Sequence, residues 1–151
     1  CESLKKRLGQ GLADLTILAS PAQRCQQLSA ELGLKIDRNE PLFWEQDFGD
    51  WEGKRWADIG PDDEFWVNPA TNAPPGGESF ANVIRRVRSA ALPQSDCLIL
   101  CHAGTIRSFL VLALELDAAS ATRFQIPHAS LTRITRYSED AWSVDFVAFE
   151  P

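Results

Sequence analysis

The residues with the clearest chemical potential lie where a short apolar run meets a histidine. Residues 97–101 are all apolar, which predicts a short buried strand, and His102 follows directly. From Ile106 to Leu114, apolar residues recur at the spacing of one helix face. His102 therefore falls at the carboxyl end of a strand and just before a helix, which is where open α/β sheets bind ligands.

The first turn of that helix favours an anion. The free backbone N–H groups of Ala103, Gly104 and Thr105 would point the same way, with the helix dipole behind them. Small side chains at positions 103 and 104 let an anion approach the backbone closely. An imidazole beside such an anion hole indicates phosphate chemistry. The alternative is a buried histidine satisfied by a backbone carbonyl.

A guanidinium group could complete a phosphate site. Residues 15–19 are apolar and partly β-branched, which predicts a strand, and Ser20 and Pro21 then fit the N-cap and first position of a helix. Arg24 lies one turn into that helix and could donate two parallel hydrogen bonds to a phosphate. The alternative is an arginine on a solvated helix surface.

A carboxyl group is the third candidate, and the sequence offers several. Glu45 is flanked by aromatic residues and could act as a general acid. It shares its loop with Asp47, Asp50 and Glu52, and spacing alone does not choose among the four acids. Glu78 is a further candidate. It stands at the start of a helix, where an acid stabilises the N-terminus through the helix dipole, so the alternative to a role in catalysis is a structural one.

The surrounding pattern predicts a parallel sheet. The strand at 15–19 is followed by a helix ending near Leu32, with Gly33 as a left-handed stop, and by a strand at 34–37, which together form a β–α–β unit. Residues 40–78 then interrupt the alternation, and long segments of this kind are often binding loops or lids. Within them we predict an irregular loop at 41–53, short helices at 55–59 and 62–67, and no regular structure at 68–77.

The C-terminal half continues the α/β pattern. The helix that opens at Glu78 and Ser79 buries apolar positions up to Ala91, and Arg85, Arg86 and Arg88 are interpreted as its solvated face. Downstream we predict a short helix at 117–124 and strands at 131–137 and 142–149, which form an antiparallel hairpin at the sheet edge.

Composition restricts the classes of partner. The chain has 151 residues, 44% of them hydrophobic and 24% charged, with a net charge of −6, which argues against a nucleic acid or an anionic membrane. We predict no membrane span, no signal peptide and a cytoplasmic protein. The four cysteines at 1, 25, 97 and 101 lack a metal-binding spacing, so we expect reduced thiols and no metal.

Four segments in order resemble the histidine phosphatase superfamily: residues 20–24 (SPAQR), 45–53 (EQDFGDWEG), 75–79 (PGGES) and 101–107 (CHAGTIR). They look most like its phosphoglycerate-mutase-like branch and, within it, the α-ribazole phosphatases of cobalamin synthesis. The resemblance implies one domain over residues 1–151 with a three-layer α/β/α fold. Its sheet would be mostly parallel, with the C-terminal hairpin at one edge.

The resemblance also implies roles for the candidate residues. Arg24 would clamp the phosphate, His102 would bind it and stabilise the transferring group, the Ala103 backbone would donate to it, and Glu45 would protonate the leaving oxygen. Supporting positions would be Ser20, Glu78 and Gly104.

No metal or cofactor is expected. The substrate would be a small phosphorylated metabolite, with α-ribazole 5′-phosphate as the leading candidate. The short 40–78 segment favours a phosphatase over a mutase, although a mutase-like enzyme remains an alternative.

One departure from the family pattern matters. Its nucleophile lies in an Arg-His-Gly motif at the end of the first strand, and this chain contains no such motif. Its histidines are His102 and His128, and His128 matches no nucleophile motif. We therefore expect that the segment with the first strand precedes this chain in the parent protein, since an exposed inner strand edge is costly. The alternative is a domain without a nucleophile that binds a phosphorylated ligand. The oligomeric state is not predicted.

Overall fold

The computed structural model describes Leu4, Lys6, Leu12 and residues 14–60 and 64–150. Three parallel strands form the main sheet in the order β2-β1-β3: β1 is Thr16–Ala19, β2 is Arg38–Asn39 and β3 is Cys97–Leu100. Ala19 lies opposite Leu100 in the register, and the N–H of Ser20 donates to the carbonyl of Leu100 at 2.8 Å. The residues that follow β1 and β3 therefore emerge side by side at one edge.

Helices cover both faces of this sheet. They are α1 (Gln23–Leu32), α2 (Phe80–Arg88) and α3 (Ala103–Ala113). Along β1, Leu18 packs into one core cluster with residues of α2 and α3, whereas Ile17 and Ala19 pack into a second cluster with residues of α1. Because successive side chains of a strand point to opposite faces, this alternation produces the expected three layers.

The predicted C-terminal hairpin is confirmed. Its strands are β4 (Leu131–Arg136) and β5 (Trp142–Phe149), paired antiparallel. Among the described residues the two strands form a two-stranded sheet of their own and do not pair with the main sheet, at whose edge the sequence predicts the hairpin. Ile134 and Trp142 pack against the core cluster of α2 and α3, which attaches the hairpin to that layer. A short 3₁₀ helix at Ala118–Arg123 matches the helix predicted at 117–124.

Two local predictions around β1 are wrong. The strand expected at 34–37 begins only at Arg38, because the carboxylate of Asp37 takes a place in the ladder by accepting from the N–H of Ile17 at 2.8 Å. Ser20 is also not the N-cap, since α1 begins at Gln23 and Ala22 precedes it. Gly33 does end α1 in the left-handed region, at φ +71°, as predicted.

The segment between β2 and α2 is more regular than expected. It contains four 3₁₀ helices, at Pro41–Phe43, Gly49–Trp51, Trp56–Asp58 and Glu64–Val67. The first two lie within the predicted irregular loop, the next two correspond to the predicted short helices, and residues 68–77 are irregular as expected. Ser79 caps α2 by accepting from the N–H of Asn82 at 3.3 Å, and α2 ends at Arg88, short of the predicted Ala91.

The loop that carries Glu45 is docked onto the residues before α2. The N–H of Asp50 donates to the Pro75 carbonyl at 2.8 Å, and the N–H of Glu78 donates to the Asp47 carbonyl at 2.9 Å. A Cβ at Gly49 would overlap the backbone of Pro75, so this approach requires glycine. The docking fixes the base of the Glu45 loop against the start of α2.

Candidate active site

Arg24 and His102 meet at the edge where β1 and β3 end. Arg24 is the second residue of α1 and His102 is the N-cap of α3, so adjacent parallel strands bring them together across 78 positions of sequence. The Arg24 Nε–H donates to His102 Nδ1 at 3.1 Å. The convergence predicted for the guanidinium and the imidazole is therefore present in the fold.

The hydrogen bonds of His102 fix its tautomer. Because Nδ1 accepts from Arg24, we place the proton of the neutral ring on Nε2, which lies 2.8 Å from Ser20 Oγ and donates to it. Burial and the positive charges of Arg24 and Arg86 lower the pKa of His102 to about 4. The imidazole is consequently neutral near pH 7, and both of its nitrogens have partners.

Ser20 takes a place beside the imidazole instead of capping α1. Its hydroxyl oxygen also accepts from the N–H of Ala22 at 3.3 Å, which closes a small turn between β1 and α1. The side chain is fully buried. Ser20 thus sets the orientation of the His102 ring from the side opposite Arg24.

Glu45 reaches the N-terminus of α3. The N–H of Gly104 donates to Glu45 Oε1 at 3.0 Å and lies 3.4 Å from Oε2. The anion-binding position predicted from the sequence is thus filled by the protein's own carboxylate, which the helix dipole favours. A Cβ at position 104 would overlap Oε1, so glycine is required for this contact.

The structure separates Glu45 from the other acids of its loop. Asp47 and Glu52 accept from N–H groups within the loop itself, at Gly49 and Phe48. Glu78 accepts from the N–H of Asp47 at 3.2 Å and pairs with an arginine of α2. Of these carboxylates, Glu45 is the one bonded to α3, two residues after His102.

The prediction that Arg86 is solvated is wrong. Its side chain is 18% exposed and forms an ion pair with Glu78 at 2.7 Å. It also donates to the carbonyls of Leu42 at 2.6 Å and Glu45 at 3.1 Å. Arg85 and Arg88 are exposed, as predicted. Position 86 lies three residues after the buried Val83, at the border of the apolar stripe of the helix. This spacing is the feature of the sequence that could have indicated an inward-facing Arg86.

The described cysteines pack as free thiols. Cys25 is buried, with Sγ 3.8 Å from both His102 Nε2 and the Cys101 carbonyl. Burial raises the pKa of the thiols of Cys25, Cys97 and Cys101, which therefore remain protonated and weakly nucleophilic. Cys1 lies outside the described residues. In the described part of the chain, no three His, Cys, Asp or Glu side chains are arranged to hold a metal ion.

The remaining predicted features lie away from this cluster. His128 is exposed and precedes β4. Two open clefts, of about 470 and 150 Å³, lie in the segment between β2 and α2 and are not lined by Arg24 or His102. The smaller one is lined in part by Phe48, Trp51 and Trp56. None of the described helices combines the length and apolarity needed to cross a bilayer.

Comparison with known proteins supports the assignment made from the four motifs. Relatives include the bifunctional protein Rv2228c of Mycobacterium tuberculosis (31% identity over 145 residues, covering 87% of this chain and 40% of the relative). They also include an acid phosphatase of the same species (29% over 126 residues, 80% of this chain and 62% of the relative). This chain thus spans about 40% of the length of the bifunctional relative.

Solved structures share the fold. The complex of mycobacterial glucosyl-3-phosphoglycerate phosphatase Rv2419c with inorganic phosphate is 25% identical, with a TM-score of 0.74 over 96% of this chain and 82% of that chain. The family model described as "Histidine phosphatase superfamily (branch 1)" matches residues 1–149. The chain therefore belongs to the histidine phosphatase superfamily, branch 1.

Proposed function

We propose that this chain forms the phosphate-binding part of a metal-independent phosphomonoesterase that acts on a small phosphorylated metabolite. The observation that carries the proposal is the convergence of Arg24, His102 and the Gly104 N–H at the carboxyl edge of the sheet. Phosphoryl transfer requires positioning and hydrogen-bond donors around the equatorial oxygens more than elaborate covalent chemistry. These groups supply such donors.

Each group has a definite task in this proposal. The Arg24 guanidinium pairs with two phosphate oxygens, and the bound dianion offsets the positive charges that disfavour protonation of His102. His102 then takes up a proton and donates through Nδ1.

The Ala103 and Gly104 N–H groups bind a phosphate oxygen once the Glu45 carboxylate leaves. Glu45, freed from α3, takes up a proton from water and delivers it to the leaving oxygen. Ser20 orients the imidazole, and Glu78 supports the Glu45 loop.

The nucleophile is not assigned to any residue of this chain. Both nitrogens of His102 are engaged, His128 is exposed, and the 151 residues contain no Arg-His-Gly. A second candidate, which the sequence leaves open, is a domain that binds a phosphorylated ligand without turning it over. We also propose that residues 1–151 form one domain. The cytoplasmic location stays a prediction.

The decisive experiment measures binding and turnover separately. Binding of inorganic phosphate to this chain is followed by calorimetry for the wild type and for Arg24→Gln, with Arg85→Gln as the control on an exposed arginine. Phosphate release by the full-length gene product is measured with a chelator present, for the wild type and for His102→Ala. Binding that depends on Arg24, together with release that depends on His102, supports the enzyme. Binding without release supports the second candidate, and no binding contradicts both.

The substrate is proposed more narrowly from the motifs. α-Ribazole 5′-phosphate is our first candidate, because the four segments resemble the α-ribazole phosphatases most. Glucosyl-3-phosphoglycerate is included because a structural neighbour is a phosphatase of that compound. A panel of these two compounds and 3-phosphoglycerate at matched concentrations ranks them by kcat/KM. A preference for glucosyl-3-phosphoglycerate would contradict the α-ribazole proposal and leave the phosphatase proposal intact.

A further inference from the structure

We propose that Arg86 is a positioning residue that holds Glu45 in the place from which it protonates the leaving group. The inference rests on the proposed function, because it assigns Arg86 a task only if Glu45 acts as the general acid. The Arg86 side chain contacts the carbonyls of Leu42 and Glu45 and the carboxylate of Glu78. It acts through the backbone that carries Glu45.

The contacts of Arg86 span the whole segment that leads into Glu45. Nη1 donates to the Leu42 carbonyl at 2.6 Å, and Nη2 donates to the Glu45 carbonyl at 3.1 Å. One planar guanidinium therefore binds both ends of residues 42–45. Since the fork is rigid, it fixes the distance between these two carbonyls and so the path of the chain at Glu45.

Glu78 holds the guanidinium in this orientation. Its carboxylate accepts from Arg86 Nη2 at 2.7 Å and from Nε at 3.2 Å, a two-pronged ion pair. The two side chains are only 18% and 23% exposed, so water screens the pair weakly. Glu78 in turn accepts from the N–H of Asp47 in the Glu45 loop. The pair thus joins α2 to the loop on both sides of Glu45.

The consequence is a fixed attachment point for the Glu45 side chain, both while its carboxylate rests on α3 and after it leaves. The backbone at residue 45 is tied to α2, while the carboxylate rests on Gly104 of α3. Without Arg86, the carbonyls of Leu42 and Glu45 lose their donors and the loop is free to shift. General acid catalysis is sensitive to such shifts, because a displacement of about 1 Å can cost about 100-fold in rate.

The first test uses the leaving group as a probe of proton donation. Phenols with electron-withdrawing groups leave without a proton, whereas alkoxides need one. We compare kcat/KM of the full-length gene product on p-nitrophenyl phosphate and on an alkyl phosphate for wild type, Arg86→Ala, Arg86→Lys and Glu45→Ala. Arg86→Ala should lower the alkyl rate by roughly 100-fold and the aryl rate by less than about tenfold, as Glu45→Ala does. Arg85→Ala, which removes an exposed arginine bonded to Asn82, should change neither rate.

The second test does not require turnover. The amide signal of Gly104 in ¹H–¹⁵N spectra of this chain reports the hydrogen bond to Glu45. Arg86→Ala should shift that signal in the same direction as Glu45→Ala does, Arg86→Lys should shift it less, and Arg85→Ala should leave it in place. If Arg86→Ala does not fold, Arg86→Lys keeps the charge and loses the fork, and its spectrum gives the answer.

The outcomes separate this inference from the proposed function. Equal losses on the aryl and alkyl substrates would assign Arg86 to general stability and overturn the inference. An unchanged Gly104 amide in a folded Arg86 variant would overturn it as well. A wild-type protein that releases no phosphate from any ester would refute the phosphatase proposal instead, and the Gly104 amide would then decide whether Arg86 positions Glu45.

Discussion

Protonation of His102 offers the sharpest physical test of the site. His102 is 6% exposed, its ring accepts from Arg24 and donates to Ser20, and its pKa lies at about 4 against an ordinary 6.5. The folded chain therefore resists a proton that the unfolded chain accepts readily. Between these two values the unfolded state binds more protons, so the free energy of unfolding must fall as the pH is lowered.

The size of this effect follows from the two pKa values. Going from pH 8 to pH 5 should lower the free energy of unfolding by about 2 kcal/mol through His102, and below pH 4 the loss should reach about 3 kcal/mol. Urea unfolding of the wild type and of His102→Gln at both pH values isolates this contribution, because the glutamine variant lacks the titrating ring. The loss of unfolding free energy between the two pH values should be larger in the wild type than in the variant, by the amount given above for His102.

A direct measurement uses the imidazole C2–H signal in NMR. The chain has two histidines, so His128→Gln leaves a single signal that belongs to His102. Its midpoint should lie well below 6, and addition of inorganic phosphate should move it upward, since the bound anion offsets the charges of Arg24 and Arg86. A midpoint at 6.5 or above in the folded chain without phosphate would refute the geometry described for this ring. An unmoved midpoint in saturating phosphate would show that the anion binds elsewhere.

Three further substitutions test the site and the fold. Gly104→Ala places a Cβ where the Glu45 carboxylate oxygen approaches the helix, and a phosphate oxygen that takes this place would meet the same overlap, so the substitution should weaken phosphate binding severalfold in calorimetry. Phe43→Ala removes a fully buried ring in edge contact with Phe109 at 5.7 Å between centroids, and should cost about 3–5 kcal/mol in urea unfolding; a cost below 1 kcal/mol would contradict the packing. Gly33→Ala at φ +71° should cost about 1 kcal/mol through backbone strain alone, because no atom lies within 4 Å of the added Cβ.

Much of the fold could be predicted from local pattern. The apolar run before His102 and the helical spacing after it gave β3 and α3, and Gly33 marked the end of α1. These features depend on neighbours within a few positions, where periodicity and capping preferences act. Two predictions failed because a distant partner replaced a local one. Ser20 was predicted to cap a helix but hydrogen-bonds to the imidazole of His102. The strand predicted at 34–37 starts later, because the Asp37 side chain accepts from the N–H of Ile17 in β1.

The sequence by itself determined which residues end the strands of a parallel sheet, and so which side chains are available at its edge. It did not determine which acid reaches α3, which nitrogen of His102 carries the proton, or that Arg86 turns inward to bind the Glu45 loop. Those outcomes depend on contacts between positions 59, 78 and 41 residues apart. Tertiary structure decided them, because hydrogen-bond geometry and burial select one partner among several chemically equivalent groups.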